Sequence, residues 1–233
     1  MAGSLFPTTR WTLILEAKSS AEARRAALVQ LFHVYWQPLY VLFRQKGLAA
    51  DAAKDAVQSL AVQLIERDAI GHVDPARGRL RAYLRTAAQN LLANQHEAAT
   101  AQKRGAGAEL LPIDLEVAER TVAASGASPD AAFERAWADG VMARSLQRLE
   151  REWAEEKRAG PFSLVQQFFG AAAPPAYKDA AQAHGLSVPQ LKSLLHRARG
   201  RFRVLVREEV ADTVNDPGEV DAEVQSLFEV LAR

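Results

Sequence analysis

The sequence predicts an all-α protein of two helical domains joined by a linker and ending in an acidic helix. Three observations predict it. Ala, Leu, Arg, Gln and Glu dominate, and Val, Ile and Thr never gather in alternating runs, so helix is favoured over strand nearly throughout. Apolar residues recur at three- and four-residue spacing along successive segments, the mark of helices with one buried face. Between two such sets, Gly105, Gly107, Pro112, Gly126 and Pro129 punctuate a stretch of weak periodicity, which reads as a linker over residues 105–130.

The elements follow in order. A first helix is expected from about Ala21 to Lys46, ending at Gly47, with Leu28, Leu31, Phe32, Tyr35, Trp36, Leu39, Tyr40 and Phe43 rich enough to centre a core. Pro38 should kink or split it. Asp51 is the expected N-cap of a second helix to about Arg67. A turn over Gly71 to Gly78 puts Asp74-Pro75 ahead of a third helix, about Arg79 to Gln102. These three make an N-terminal domain, residues 1–104. Beyond the linker, helix over about Pro129 to Arg158, a segment Phe162 to Phe169, and a helix-turn-helix continuing to about Thr213 make a second domain, residues 131–213. Asn215-Asp216-Pro217-Gly218 then breaks the chain, and Val220 to Leu231 forms an acidic amphipathic helix within a C-terminal extension, residues 214–233.

Composition narrows the function. The 233 residues are 48% apolar and 24% charged, ordinary for a protein with real cores. There is no cysteine, so disulfides and thiolate metal sites are excluded, which fits a reducing cytoplasm. MAGSLFPTTRW lacks a basic segment followed by a long apolar run, so no secretory leader is expected. No apolar run is long enough for a membrane span, so no membrane partner is expected. The net charge of +1 conceals segregation. Residues 1–104 carry 14 Lys and Arg against 8 Asp and Glu, and residues 161–206 carry 6 against 1. The acidic blocks are residues 105–160, with 7 against 11, and 207–233, with 2 against 8. Two basic zones separated by acid point to two contact zones for a polyanion.

The second basic zone is the more specific. In Tyr177 to Arg203, Gly185 supplies the left-handed residue that ends a short helix. Ser187 and Gln190 have capping-box spacing, and Pro189 sits in the first turn of the next helix, where its missing amide costs little. Val188, Leu191, Leu194, Leu195, Ala198, Phe202 and Leu205 form its buried stripe. At about 100° per residue, Lys192, His196, Arg199 and Arg203 fall in a strip roughly 60° wide, with Arg197 and Arg201 on one flank. A helix that seats one face in a core and offers a line of cations outward suits a phosphate backbone. In the first zone, Arg79, Tyr83, Asn90 and Asn94 share a side of the third helix, with Arg81 and Arg85 flanking its core stripe and Lys103 and Arg104 closing the segment. An aromatic among amides and cations can stack an unpaired base while amides read its edge.

Taken in series, the strings Phe6-Pro7-Thr8-Thr9-Arg10-Trp11, Tyr35-Trp36-Gln37-Pro38-Leu39-Tyr40, Leu64-Ile65-Glu66-Arg67-Asp68, Val73-Asp74-Pro75-Ala76-Arg77-Gly78-Arg79 and Ala101-Gln102-Lys103-Arg104-Gly105 carry a family likeness. The chain resembles bacterial RNA polymerase sigma factors of the two-domain extracytoplasmic-function type (group 4), in a sub-group with an N-terminal TTRW and a C-terminal extension. The resemblance implies a sigma region 2-like three- or four-helix bundle that binds the polymerase clamp and opens the minus-ten element. It also implies a sigma region 4-like helix-turn-helix domain that reads the minus-thirty-five element. Implied partners are core RNA polymerase, promoter DNA and, in some settings, an anti-sigma factor; no cofactor and no catalytic residue are implied. Carried over by position, Ser187, Gln190, Lys192, Ser193, His196 and Arg197 lie where the family contacts DNA, and Tyr83, Asn90 and Asn94 where it reads melted bases. In the clamp-binding pattern Asp-Leu-x-Gln-Glu, Asp55 and Gln58 match, but Ala56 replaces the leucine and Ser59 the glutamate.

Two other readings compete. One is a DNA-binding regulator of sigma descent that no longer engages polymerase; the other is a module whose basic faces bind acidic proteins. An enzyme is not expected. His33, His72, His96, His184 and His196 lack metal-ligand spacing, there is no G-x-x-x-x-G-K loop, and Gly105-Ala106-Gly107 is too short for a dinucleotide fingerprint. The acidic extension suggests a further expectation, that its carboxylates compete with DNA for Arg199, Arg201 and Arg203.

Overall fold

Nine α-helices and one short 3-10 turn, with no strand, account for the regular structure among the described residues of a computed structural model, which are 21–66, 80–98, 115–124, 128–155, 162–169, 173–214 and 217–232. In chain order they are α1 (Ala21–Gln45), α2 (Ala50–Glu66), α3 (Leu80–Ala98), α4 (Leu115–Ala124), α5 (Pro129–Glu155), α6 (Phe162–Gln166), α7 (Tyr177–Ala183), α8 (Val188–Ala211), the turn Pro217–Glu219, and α9 (Val220–Leu231). None of these helices is long and apolar enough to cross a membrane. The chain divides into two compact units: residues 1–140 with 210–233, and residues 141–209.

In the first unit α1 is the hub, packing against α2, α3 and α4. Leu31, Phe32, Tyr35, Leu39, Tyr40, Leu42 and Phe43 are all essentially inaccessible, because α1 is apolar around most of its circumference and is surrounded rather than laid on a surface. Pro38 lies within α1 without splitting it. A proline forfeits one backbone hydrogen bond and crowds the preceding turn, and here burial of the residues on both sides outweighs that loss. Gly47, at φ 95°, ends the helix, with its N–H bonded to the Arg44 carbonyl.

Three sequence expectations need correction in this unit. Asp51 is not the N-cap of α2, because the Ala53 N–H already reaches the Ala49 carbonyl at 2.8 Å and the helix begins a residue earlier. Asp51 instead places its charge in the first turn, where the helix dipole favours an anion. The linker expected over 105–130 contains a helix, α4, with Ala118 fully buried and Val122 packed on Val41, Ala132 and Ala136. Arg44 clamps α4 through Glu119, Nε to Oε1 at 2.7 Å and Nη2 to Oε2 at 3.0 Å, and the Tyr40 hydroxyl donates to the same carboxylate. Burial, with the Glu119 charge alongside, pushes the Tyr40 hydroxyl up to about 12, while hydrogen bonds from Arg44 and Tyr40 hold the Glu119 carboxyl below its ordinary range. Finally, the C-terminal extension is not a separate element. Residues 210–233 and the first part of α5 belong to the same compact unit as α1 to α4.

The second unit is built on one apolar cluster. Leu149 and Trp153 from α5, Leu164 and Val165 from α6, Phe168 in the turn after it, Ala180 and Ala181 from α7, and Leu191, Leu194, Leu195, Ala198 and Leu205 from α8 form it. Ala180 and Ala181 are small enough for α7 to lie close against its neighbours, and both are at most 5% exposed. The stripe expected for α8 is the one observed.

Candidate nucleic-acid interface

The turn between α7 and α8 is fixed by local chemistry. The Leu186 N–H bonds to the Ala181 carbonyl at 2.9 Å and the Gly185 N–H to the Gln182 carbonyl at 3.2 Å, the paired bonds of a Schellman ending. Gly185 has φ 65°, and a Cβ there would meet no atom within 4 Å. Backbone conformation, not crowding, therefore requires glycine at that position. Two residues on, the capping box forms as its spacing predicts. The Ser187 N–H donates to Gln190 Oε1 at 2.8 Å, and the Gln190 N–H donates to Ser187 Oγ at 3.4 Å. Both caps use short side chains and backbone, which leaves the outer face of α8 free.

The cations of α8 fall into two classes. Arg201 belongs to the fold. Its Nε and Nη2 donate to the two Glu152 oxygens at 2.6 and 2.7 Å, and Nη1 reaches Glu208 at 3.2 Å. Glu208 also takes Arg148, whose Nη1 reaches Glu209 at 3.1 Å, and Glu209 accepts from Arg144 at 3.0 Å. This chain of alternating charge ties α5 to the C-terminal half of α8. The hydrogen bonds from Arg201 hold the Glu152 carboxyl low, and Glu152 in turn raises the Arg201 guanidinium further above its usual value. Arg201 does not extend the expected strip: it lies about 140–200° around the axis from Lys192, His196, Arg199 and Arg203, and carboxylates on α5 and α8 itself neutralise it.

Lys192, His196, Arg197, Arg199 and Arg203 are exposed, and none forms an ion pair among the described residues. Lys192, His196, Arg199 and Arg203 line a groove of about 430 Å³ whose other walls are Leu195 and Tyr177. The Tyr177 ring stacks on Phe168 with centroids 5.2 Å apart, and the Lys192 ammonium lies 5.8 Å from its centroid. Tyr177 is a wall of the groove that sequence reasoning did not single out; its signal was an aromatic opening a short helix just ahead of Lys178. Ser193, like Gln190 and Ser187, is exposed near the start of α8. A shallow groove with an apolar floor and unneutralised cations along one side can hold phosphates while an aromatic edge meets a sugar or base.

Comparison of the chain with protein-family models, with curated proteins and with solved structures returns no match. The functional reading therefore rests on the residues themselves.

The other sequence-derived candidates are distributed less favourably. On α3, Tyr83, Asn90 and Asn94 fall within roughly 40° of one another about the helix axis. Asn90 and Asn94 are exposed, while Tyr83 is half-buried, its hydroxyl pushed up by desolvation. The flanking cations are engaged: Arg85 pairs with Glu134 at 3.2 Å, and Arg81 is 5% exposed. Arg79, Lys103 and Arg104 lie outside the described residues. On α2, Asp55 is exposed, Gln58 and Ser59 are half-buried, and Ala56 is buried.

Arg201 takes its carboxylates from Glu152 and Glu208. The inward carboxylate of α9, Glu223, pairs with Arg81 instead.

Proposed function

We propose that this protein is a sigma-type transcription initiation factor that acts in the cytoplasm and binds promoter DNA through α8. The observation that carries the DNA-binding part is the sorting of cations on one helix. Arg201 is internally neutralised, whereas Lys192, His196, Arg199 and Arg203 line an open groove beside a capped helix-turn-helix. Cations without internal partners bind polyanions at no cost in broken ion pairs, and phosphate contacts release counterions. On this reading Ser193, with Ser187 and Gln190 beside it at the start of α8, meets base edges while Arg199 and Arg203 hold the backbone. The likeness of the chain's strings to two-domain sigma factors supplies the rest: α2 as the polymerase-binding helix through Asp55 and Gln58, and α3 as the strand-opening helix through Tyr83, Asn90 and Asn94.

A second reading, a helix-turn-helix regulator of sigma descent that does not engage polymerase, is favoured by α2. Asp55 is exposed there, but the half-buried Ser59 stands where the family pattern has a glutamate. Binding to sigma-free core RNA polymerase, measured by fluorescence anisotropy for the native chain and for Ser59→Glu, separates the two. Binding by the native chain is the expected result. If neither version binds while sequence-preferring DNA binding persists, the regulator reading replaces the first.

A further inference from the structure

The docking of α9 departs from what its apolar residues would choose. Val220 sits near the middle of the helix's apolar arc, with Glu223 roughly 60° to one side and Phe228 roughly 80° to the other. The buried side is that of the charge. Glu223 is 1% and Leu227 0% exposed, Val224 and Leu231 are half-buried, and Phe228 is 49% exposed. A turn of roughly 40° would bring Val224 and Phe228 inward and return Glu223 to water, at the expense of the half-buried Val230 on the Glu223 side, a smaller side chain than Phe228.

Arg81 explains the departure. The Trp137 ring lies 4.2 Å from its guanidinium carbon and Glu134 meets its Nε at 2.7 Å, so the guanidinium is fixed within the unit on two sides. Its remaining edge faces α9, where Glu223 pairs with Nη1 and Ser226 Oγ accepts from Nη2 at 3.5 Å. An apolar helix face there would bring no carboxylate to that edge of the buried guanidinium. At the far end of α9, Arg135 donates to the Leu231 carbonyl at 3.4 Å.

We propose that the Arg81–Glu223 pair, rather than apolar burial, sets the rotational register in which α9 docks, and that α9 so docked positions α3. Arg81 and Glu223 are then positioning residues for the α3 face that carries Tyr83, Asn90 and Asn94; this functional half rests on the reading of that face given above. The C-terminal helix is thereby a working part of the N-terminal unit.

The absence of cysteine makes the test clean. Single Phe228→Cys and Leu227→Cys substitutions in the full chain report register through thiol-labelling rates. In the native background, Phe228→Cys labels fast and Leu227→Cys at least tenfold more slowly. Combining Arg81→Met with Glu223→Met removes the pair but keeps volume, and slows labelling at 228 at least tenfold while 227 stays protected. Unchanged rates at both positions overturn the proposal. Where the Met pair releases α9 altogether, the charge swap Arg81→Glu with Glu223→Arg decides: recovery of the native pattern relative to either single variant supports a charge-set register, and no recovery overturns it. Anisotropy with a fluorescein-labelled single-stranded DNA then tests the functional half. Each single variant weakens binding about tenfold and the swap recovers it. A register that shifts with no change in oligonucleotide affinity overturns the positioning role, and no binding by the native chain removes the reading of the α3 face while leaving the register intact.

Discussion

Helices α3 and α8 both carry rows of cations, and the rows meet opposite fates. On α3, Arg81 is enclosed by Glu134, Glu223 and Trp137, and Arg85 shares Glu134. On α8, Arg201, on the other side of the helix, is neutralised, whereas Lys192, Arg199 and Arg203 line an open groove beside His196. Residue type is the same; what differs is whether a glutamate on a neighbouring helix reaches the guanidinium. A polyanion that approaches Arg81 must displace a buried carboxylate, whereas one that approaches Arg199 displaces only water and counterions. Basic residues therefore divide into those that hold the fold and those that face a partner, and charge counts cannot make that division.

The comparison is most exposed to breakage at its buried end. Glu223→Ala removes the buried carboxylate that faces Arg81 Nη1 and should cost the first unit about 3–5 kcal/mol, read in thermal or denaturant unfolding. A loss below about 1 kcal/mol, the range of exposed pairs, would erase the distinction between the two arginine rows. Ser187→Ala removes one capping acceptor of α8 and should cost about 1 kcal/mol, with the salt dependence of DNA binding unchanged. Arg201→Ala, at a side chain 41% exposed, should cost about 1 kcal/mol or less and likewise leave the salt dependence alone. A drop in salt dependence there would move Arg201 into the DNA-facing class. The smallest effect concerns acid. The Glu152 carboxyl is held below its ordinary value of 4.5, chiefly by the hydrogen bonds from Arg201. Its contribution to stability is thus complete above about pH 4.5 and fades as pH falls through the lower folded value. Glu152→Gln should flatten the loss of stability in that acid window and do nothing near neutrality.

Much of the second unit was legible before the structure, because its signals are local. Gly185, the Ser187–Gln190 box and the apolar stripe of α8 each act within a turn or two of sequence, and each appears as its spacing predicts. What escaped was long-range. Arg201 lies on the same helix as Arg199 but about 200° around its axis, and the packing of α5 on that side, bringing Glu152 within 2.6 Å, gives it a partner that sequence alone does not show. Helix α4 hid inside a stretch punctuated by Gly and Pro because its stability comes from Arg44 and Tyr40, some 75 residues away. Helix α9 was visible as a helix, but its rotation was not, since the partner that turns Glu223 inward is Arg81, far up the chain. The candidate DNA residues on α8 were read from periodicity; Tyr177 was missed because its place in the groove depends on how α7 lies against Phe168.

The central claim is that the unpaired cations of α8, and not basic charge in general, bind DNA. The most direct test is the salt dependence of duplex DNA affinity for the native chain, for Lys192→Ala/Arg199→Ala/Arg203→Ala, and for Arg201→Ala. The triple variant should melt as the native chain does and lose about 0.9 from the slope of log K against log salt for each removed contact, up to ~2.7 in all, while Arg201→Ala keeps the native slope. A triple variant with the native slope, or an equal loss in Arg201→Ala, would contradict the account.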